Sequence, residues 1–369
     1  ITAQDVNNGS NDACGIASLS LDNTTFGCNN VGNNTVTLTV TDLNNNSSTC
    51  TANISIEDNV DPVAICQDIT VQLDATGNAT IAPQDVDNGS NDACGIASLS
   101  LSQTAFTCGN VGLNNTVTLT VTDNNNNSST CTGNVTVEDN VAPVAICQDI
   151  TVQLDNTGNA SITPQDVDNG SNDACGIASL SVSPNTFNCA NVAGNTVTLT
   201  VTDVNGNSST CTANVSIQDN VNPVAVCQDV TVQLDAQGAG SITTTDVDNG
   251  SSDNCAISSL SLDNSNFGCS NVGSNTVTLT VTDVNNNQSS CAATITVEDN
   301  IAPIAICQDV TVQLDGNGQG TTTAQDVDNG SNDACGIASL SLNNASFSCS
   351  DVGSNTVTLT ATDVNGNSS

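Results

Sequence analysis

An acidic loop occurs in five copies along the chain, with small changes between them. Its second copy, DVDNGSND, places Asp85 and Asp87 two residues apart and ends, after a glycine, at Asp92. Oxygen ligands at alternating positions around a glycine turn suit a hard cation such as calcium. The glutamate that closes an EF-hand is missing, Asn7 replaces the middle aspartate of the first copy, and an Asx-rich turn is the alternative. The predicted calcium ligands of these loops are Asp85, Asp87, Asp92, Asp166, Asp168, Asp173, Asp246, Asp248, Asp253, Asp326, Asp328 and Asp333.

A second acidic segment recurs in four copies, which read EDNVDP, EDNVAP, QDNVNP and EDNIAP. Over five or six residues it resembles the acidic linker of cadherins, which holds calcium between successive domains. Gln218 replaces the glutamate in one copy, so we expect a weaker site there. A solvated linker without an ion is the alternative. The predicted calcium ligands of these junctions are Glu57, Asp58, Glu138, Asp139, Glu298 and Asp299.

Cysteine is the third residue type that could do chemistry. The chain has 18 cysteines, and four of them recur in each full period of the sequence. The second and third of each set keep one fixed spacing, as in Cys94 and Cys108, and the first and fourth keep a longer one, as in Cys66 and Cys131. Fixed spacings without histidine or a CxxC pair indicate disulfides rather than zinc sites. We therefore expect an oxidising compartment.

The composition excludes most other chemistry. The chain has 38 acidic residues and no Lys, Arg, His, Met, Trp or Tyr. Nucleic acid and anionic membrane surfaces select for basic patches, so neither is an expected partner. A serine or cysteine nucleophile cannot be paired with histidine in this chain. We expect a protein that is not an enzyme.

The apolar pattern indicates folded β-structure despite the high charge. In NTVTLTVTD, Val277, Leu279 and Val281 alternate with threonine, which is typical of a half-buried strand. No stretch has sustained helical spacing or approaches membrane-spanning length. In the second period, strands are predicted at 63–67, 68–74, 79–86, 96–102, 104–107, 115–123 and 128–138.

The sequence is a tandem repeat. The motif CQD begins at Cys66, Cys147, Cys227 and Cys307, so the period is nearly constant along the chain. A period of this length, with about seven strand-like runs, predicts immunoglobulin-like β-sandwich domains stacked into an extended rod. We expect this sequence to be part of a longer protein. The predicted domains are a partial repeat at 1–59, full repeats at 60–140, 141–220 and 221–300, and a partial repeat at 301–369.

Two disulfide connectivities fit this organisation. Cys131 could pair with Cys147 of the next repeat, but an extended strand and a linker separate them by far more than the roughly 7 Å limit on Cα distance. Pairing within each repeat is favoured, since the first strand of such a sandwich commonly lies beside the last. Each domain is then stapled by about two disulfides, and Cys50 and Cys307 lack partners. The predicted disulfides are Cys14–Cys28, Cys94–Cys108, Cys175–Cys189, Cys255–Cys269, Cys335–Cys349, Cys66–Cys131, Cys147–Cys211 and Cys227–Cys291.

The combined motifs resemble a known family over essentially the whole chain. AP-x-A-x-C-x-D-I/V-T-V, DNGS-x-D-x-C and VG-x-NTVTLTVTD are similar to hyalin-type immunoglobulin-like repeats, above all those of giant surface adhesins of gliding Bacteroidetes. The resemblance implies type 9 secretion, attachment to the outer membrane and a role in gliding motility. It also supports disulfide pairing within each repeat, and it supplies no catalytic residue.

The expected function is structural. We expect the stalk or filament of a large secreted adhesin that contacts extracellular surfaces, polysaccharide or other parts of the same protein, without inserting into a membrane. The alternatives are a calcium-dependent module that binds glycan or protein, and an accessory array of a secreted hydrolase. Near-identical repeats favour the stalk, because a specific binding site usually diverges from its copies.

Overall fold

The computed structural model describes every residue from Ile1 to Ser369, and the fold is all-β, as predicted. The elements are given by sequence repeat, and each α-helix is a single turn. The first repeat contains α1 (Ala3–Val6), β1 (Ile16–Leu21), β2 (Gly32–Asp42) and β3 (Ser47–Ile56). The second contains β4 (Ile69–Gln72), β5 (Asn78–Thr80), α2 (Pro83–Val86), β6 (Ile96–Leu101), β7 (Ala105–Thr107), β8 (Asn115–Asp123) and β9 (Ser128–Glu138).

The later repeats have the same order of elements, except that the fifth lacks the first and the last strand. The third contains β10 (Ile150–Gln153), β11 (Asn159–Ser161), α3 (Pro164–Val167), β12 (Ile177–Ser183), β13 (Thr186–Asn188), β14 (Ala193–Asp203) and β15 (Ser208–Gln218). The fourth contains β16 (Val230–Gln233), β17 (Ala239–Ser241), α4 (Thr244–Val247), β18 (Ile257–Leu262), β19 (Asn266–Gly268), β20 (Gly273–Asp283) and β21 (Gln288–Glu298). The fifth contains β22 (Gln319–Thr321), α5 (Ala324–Val327), β23 (Ile337–Leu342), β24 (Ser346–Ser348) and β25 (Leu359–Asp363).

Two strand predictions in the second repeat are wrong in part. The segment 63–67 forms only isolated bridges, from Val63 to Asn91 and from Cys66 to Asp87. The predicted strand at 79–86 ends at Thr80, and its second half is the helical turn α2. Pro83 begins this turn because it has no N–H to offer a strand ladder. No helix of the chain is long and apolar enough to cross a bilayer.

Each full repeat forms a β-sandwich from a four-stranded and a two-stranded sheet. In the second repeat the strand orders are β4-β9-β8-β6 and β5-β7. The first and last strands run parallel, with Ile69 opposite Val135 and Gln72 opposite Glu138. The third and fourth repeats have the same strand orders, β10-β15-β14-β12 with β11-β13, and β16-β21-β20-β18 with β17-β19.

The chain forms two compact units, one of residues 1–147, 168–181 and 199–211 and one of the remaining residues. The division into five domains stays a prediction. In the first unit, Phe106 of the small sheet is 1% exposed and belongs to one core with Val117 and Val135 of the large sheet. The second unit repeats this arrangement around Phe267. One buried aromatic ring thus packs among aliphatic side chains in each of these cores.

The first-to-fourth disulfide closes each full repeat. Parallel pairing of β4 with β9 brings the Cα atoms of Cys66 and Cys131 to 5.7 Å, within the range that a disulfide spans. Bonds of this type join Cys66–Cys131, Cys147–Cys211 and Cys227–Cys291.

The predicted pairing of the second cysteine with the third is wrong, and these cysteines join successive repeats instead. Cys94 precedes β6 in the large sheet, whereas Cys108 follows β7 in the small sheet. The short strand β7 pairs with β5 and not with β6, so Cys94 and Cys108 are not brought together. The corrected pairs are Cys28–Cys94, Cys108–Cys175, Cys189–Cys255 and Cys269–Cys335, in place of Cys14–Cys28, Cys94–Cys108, Cys175–Cys189, Cys255–Cys269 and Cys335–Cys349. Free thiols remain at Cys14, Cys50, Cys307 and Cys349.

Trypsin distinguishes the two connectivities, because the chain has no Lys or Arg of its own. Val144→Lys introduces one cleavage site at a position that is 57% exposed in the junction between the second and third repeats. Only Cys108–Cys175 bridges this cut. We expect cleaved Val144→Lys to migrate as one species on a non-reducing gel and as two fragments after reduction.

Leu113→Lys is the matched control, since Leu113 is 59% exposed and Cys66–Cys131 bridges a cut there under either connectivity. Cleaved Leu113→Lys therefore stays joined in both cases. Separation of the Val144→Lys fragments without reductant would contradict the inter-repeat bond.

Candidate metal sites at the repeat junctions

A buried or half-buried aspartate follows the last strand of each of the first four repeats. Asp139 is 7% exposed, and one of its carboxylate oxygens accepts a hydrogen bond from the Val141 N–H at 3.1 Å. The other oxygen is buried and has no hydrogen-bond partner. A buried carboxylate oxygen without a donor is costly and rare. The same unpartnered oxygen occurs at all four junction aspartates, Asp58, Asp139, Asp219 and Asp299.

The end of the acidic loop meets each junction aspartate. The ligand oxygens of Asp139 and Asp173 lie within 4.8 Å of each other, although the two residues belong to different repeats of the sequence. Asp173 uses one oxygen to accept the Cys175 N–H at 2.7 Å, which orders the loop. The four junction–loop pairs are Asp58 with Asp92, Asp139 with Asp173, Asp219 with Asp253, and Asp299 with Asp333.

A third aspartate, which the sequence analysis missed, approaches from the turn between the two long strands. Asp283 is fully buried and belongs to the cluster of Asp219 and Asp253. The Asn287 side chain donates both to Asp283, at 2.8 Å, and to the Asp219 carbonyl, at 3.1 Å. The clue in the sequence was an aspartate at the end of a strand, followed by asparagine two and four residues later. The equivalent buried aspartates are Asp123, Asp203, Asp283 and Asp363.

Sulfur does not contribute a ligand to these clusters. Cys94, Cys175 and Cys335 lie within the same 4.8 Å as the paired aspartates. All three are held in the disulfides between repeats. A metal-binding thiolate is therefore absent, and the donor set consists of oxygen.

The structure does not bring the other predicted loop ligands to Asp92. Asp85 accepts the Ala82 N–H at 2.7 Å and so caps the short helix α2. Asp87 accepts the Ser90 N–H at 3.1 Å. These two positions form capping and Asx-type turn contacts, which were the alternative to a calcium loop. The residues with these capping and turn contacts are Asp85, Asp87, Asp166, Asp168, Asp246, Asp248, Asp326 and Asp328.

The junction glutamates also lie outside the clusters. Glu138 and Glu298 are exposed and accept hydrogen bonds at 2.6 Å from Gln72 and Gln233, respectively. Glu57 is likewise exposed. The expectation that Gln218 weakens its junction is therefore unsupported, since this position supplies no ligand. That junction has the richest cluster, with three carboxylates.

Asn254 adds a further oxygen to this richest cluster. It stands where the other complete loops have alanine, and its amide donates to Asp219 at 3.2 Å. Its own side-chain oxygen is buried and has no hydrogen-bond partner. One side chain thus satisfies an aspartate with its N–H group and leaves an oxygen free for a cation.

The electrostatics of these clusters favour a bound cation. Two or three carboxylates converge within 4.8 Å, and the chain contains no Lys, Arg or His to neutralise them. Like charges at this distance repel strongly in a partly buried site. Carboxylate and amide oxygens are the ligands of hard divalent cations. The clusters can therefore bind such an ion through oxygen alone.

Hydrogen bonds lower the pKa of two turn aspartates, Asp203 and Asp363. Burial raises the pKa of Asp203, but hydrogen bonds from the Asn207 side chain and from the turn N–H groups lower it by more, so the pKa lies below its ordinary value. The pKa of Asp363 is lowered in the same way. The folded state thus binds these protons less readily than the unfolded chain. Their stabilising contribution is complete above the unfolded pKa of about 4 and is lost as the pH falls further.

We expect the melting temperature to be constant between about pH 7 and 5 and to fall below about pH 4. About 0.5 M NaCl in the buffer would screen the long-range repulsion among the carboxylates. Calorimetry of Asp203→Asn, a neutral variant that retains an acceptor oxygen, should give a shallower loss in acid. A melting temperature that rises on acidification would contradict this assignment.

No protein-family model matches the chain, and no curated protein matches it. Several solved structures resemble it at low identity. One is the protocadherin gamma B7 extracellular cadherin domains 1–4, with 13% identity over 73% of this chain and 89% of that chain and a TM-score of 0.30. Protocadherin gamma B2 extracellular cadherin domains 1–5 have 12% identity over 96% of this chain and 80% of that chain, with a TM-score of 0.31. Sidekick-1 immunoglobulin domains 1–4 have 8% identity over 72% of this chain and 82% of that chain, with a TM-score of 0.26.

Proposed function

We propose that this chain is a structural segment of an extracellular repeat array, in which disulfides and divalent ions join each repeat to the next. The observation that carries the proposal is the recurrence of both features at every junction. A junction aspartate with one buried, unpartnered oxygen, the loop aspartate beside it and an inter-repeat disulfide occur together at Asp58, Asp139, Asp219 and Asp299. The polar chemistry of the chain is thus concentrated where repeats meet.

Calcium is the ion that we propose for these sites. Asp219, Asp253 and Asp283 bring three carboxylates together, and the Asn254 oxygen lies beside Asp219. Calcium takes six to eight oxygen ligands in flexible geometry and accepts water for those that the protein does not supply. Magnesium requires stricter octahedral geometry, and zinc prefers the nitrogen and sulfur ligands that these clusters lack.

The cellular role that we propose is the stalk of a secreted surface adhesin. Seven disulfides support an oxidising, extracellular location. The absence of histidine, lysine and arginine supports a non-catalytic role. The resemblance to adhesins of gliding bacteria supports type 9 secretion, outer-membrane attachment and a part in gliding motility. Extracellular surfaces, polysaccharide and other parts of the same adhesin are the proposed partners.

Counting bound ions tests the calcium sites. We expect about four calcium ions per chain, one for each cluster. Asp139→Asn should lower the count by about one, because it neutralises a junction ligand. Glu138→Gln and Asp85→Asn, which lie outside the clusters, should leave the count unchanged. Equilibrium dialysis gives the count, and a loss of calcium in Asp85→Asn but not in Asp139→Asn would assign the ion to the loop instead.

Chelation should also lower thermal stability. An ion present at about 100 times its dissociation constant stabilises the folded state by about 2.7 kcal/mol per site. We expect the melting temperature of wild-type protein to fall on chelation, and the fall to be smaller in Asp219→Asn. An identical response in both proteins would leave the Asp219 cluster without an ion.

Binding assays separate the stalk from the alternative module. A structural segment should show no saturable binding to immobilised polysaccharides, with or without calcium, while still binding calcium at its junctions. Saturable, calcium-dependent glycan binding that is lost in Asp139→Asn would replace the stalk proposal with the binding module. The ion count tests the calcium sites, and the glycan assay tests the stalk role, so either proposal can be contradicted without the other.

A further inference from the structure

The two classes of disulfide create two continuous covalent routes along the chain. We define the first rail as the segments 14–28, 94–108, 175–189, 255–269 and 335–349, which the four inter-repeat disulfides join in series. The second rail consists of the segments 50–66, 131–147, 211–227 and 291–307, which the disulfides inside repeats join in series. The peptide segments between the rails, such as 66–94 and 108–131, connect them as rungs, and the two chain ends extend beyond the rails.

We propose that this covalent ladder makes the array a tether whose length under tension is limited by disulfides rather than by the polypeptide. The proposal goes beyond the structural role above and does not depend on a bound ion. Force applied along the chain reaches the first rail before it can extend the rungs. The residues of each repeat that lie outside the rail are therefore shielded from stretching.

The expected limit follows from the lengths of the segments. The segment from Cys94 to Cys108 extends to at most about 50 Å. The Cys108–Cys175 bond adds a Cα separation of 5.2 Å before the next segment begins. The same repeat with open disulfides extends to about 280 Å. The oxidised ladder thus shortens the maximum length of one repeat about five-fold.

The ladder also tolerates cleavage of the backbone. A break in the junction 131–147 is bridged by Cys108–Cys175, and a break in the segment 94–108 is bypassed along the second rail. A break in a rung leaves both rails intact. No single backbone cut between Cys28 and Cys335 therefore separates the array.

Glycines in the β-turns between the first two strands of the repeats make room for the first rail. Gly77 has a φ of +75°, and a Cβ atom at this position would lie 2.7 Å from the Cys108 sulfur and 3.2 Å from Ala174 of the following repeat. A Cβ atom at Gly158 or Gly238 would likewise lie 2.7 Å from the sulfur of Cys189 or Cys269, respectively. The fold thus reserves space at the point where each inter-repeat bond forms.

Single-molecule stretching of the full chain tests the ladder. Handles are attached through terminal peptide tags, and the four free thiols are alkylated first to prevent exchange. The first rail predicts a fully extended length on the order of 400 Å for the oxidised chain and about 1,250 Å after dithiothreitol supplies two electrons and two protons per disulfide. An oxidised chain that reaches the full backbone length would overturn the proposal.

Two double variants separate the rails. Cys108→Ser with Cys175→Ser forces a detour through the second rail and should lengthen the oxidised chain by about 130 Å. Cys66→Ser with Cys131→Ser removes one disulfide of the second rail and should leave the full extension unchanged, because the first rail is the shorter route. Equal lengthening in both variants would contradict the ladder.

The fully extended length depends on covalent connectivity alone, so these measurements can be interpreted even when a variant is less stable. Peptide mapping without reductant must first show that the remaining disulfides of each variant are unchanged.

Discussion

The lack of any basic side chain governs how this protein handles its carboxylates. Every buried aspartate must be satisfied by N–H groups or by a cation from solution. The turn aspartates follow the first route, since Asp203 accepts two backbone N–H groups and the Asn207 amide. The junction aspartates follow it only in part, because one oxygen of each has no donor. The unpartnered oxygen marks the junction aspartates as candidate ligands, whereas Asp283 belongs to a cluster although its carboxylate already accepts hydrogen bonds.

The carboxylates of the junctions and the cysteines of the inter-repeat disulfides are adjacent in the sequence. Asp92 lies two residues before Cys94, so the loop that supplies a carboxylate also carries the sulfur that bonds to the preceding repeat. A cation at Asp58 and Asp92 would therefore stabilise the loop from which the disulfide extends. The two linkages are independent in kind, because one responds to calcium and the other to reductant.

Sequence patterns within one repeat predicted much of the fold, but they did not predict the contacts between repeats. The alternation in 115–123 fixed which side chains are buried, and the parallel first and last strands predicted the Cys66–Cys131 contact. The Cys108–Cys175 bond depends on how one repeat meets the next, which no periodicity within a repeat reports. The near-constant sequence separation of these pairs, 66 or 67, was the available signal. The junction–loop aspartate pairs were missed for the same reason.

The inter-repeat disulfides impose an order on biosynthesis. A chain is synthesised from its N-terminus, and domains generally fold as units in that order. When the second repeat folds, Cys108 has no partner until Cys175 of the next repeat has followed it. Each repeat therefore carries an unpaired thiol until its successor has folded. Oxidation of the array must advance one repeat behind folding, and an oxidant that acts too early would join cysteines of the wrong neighbours.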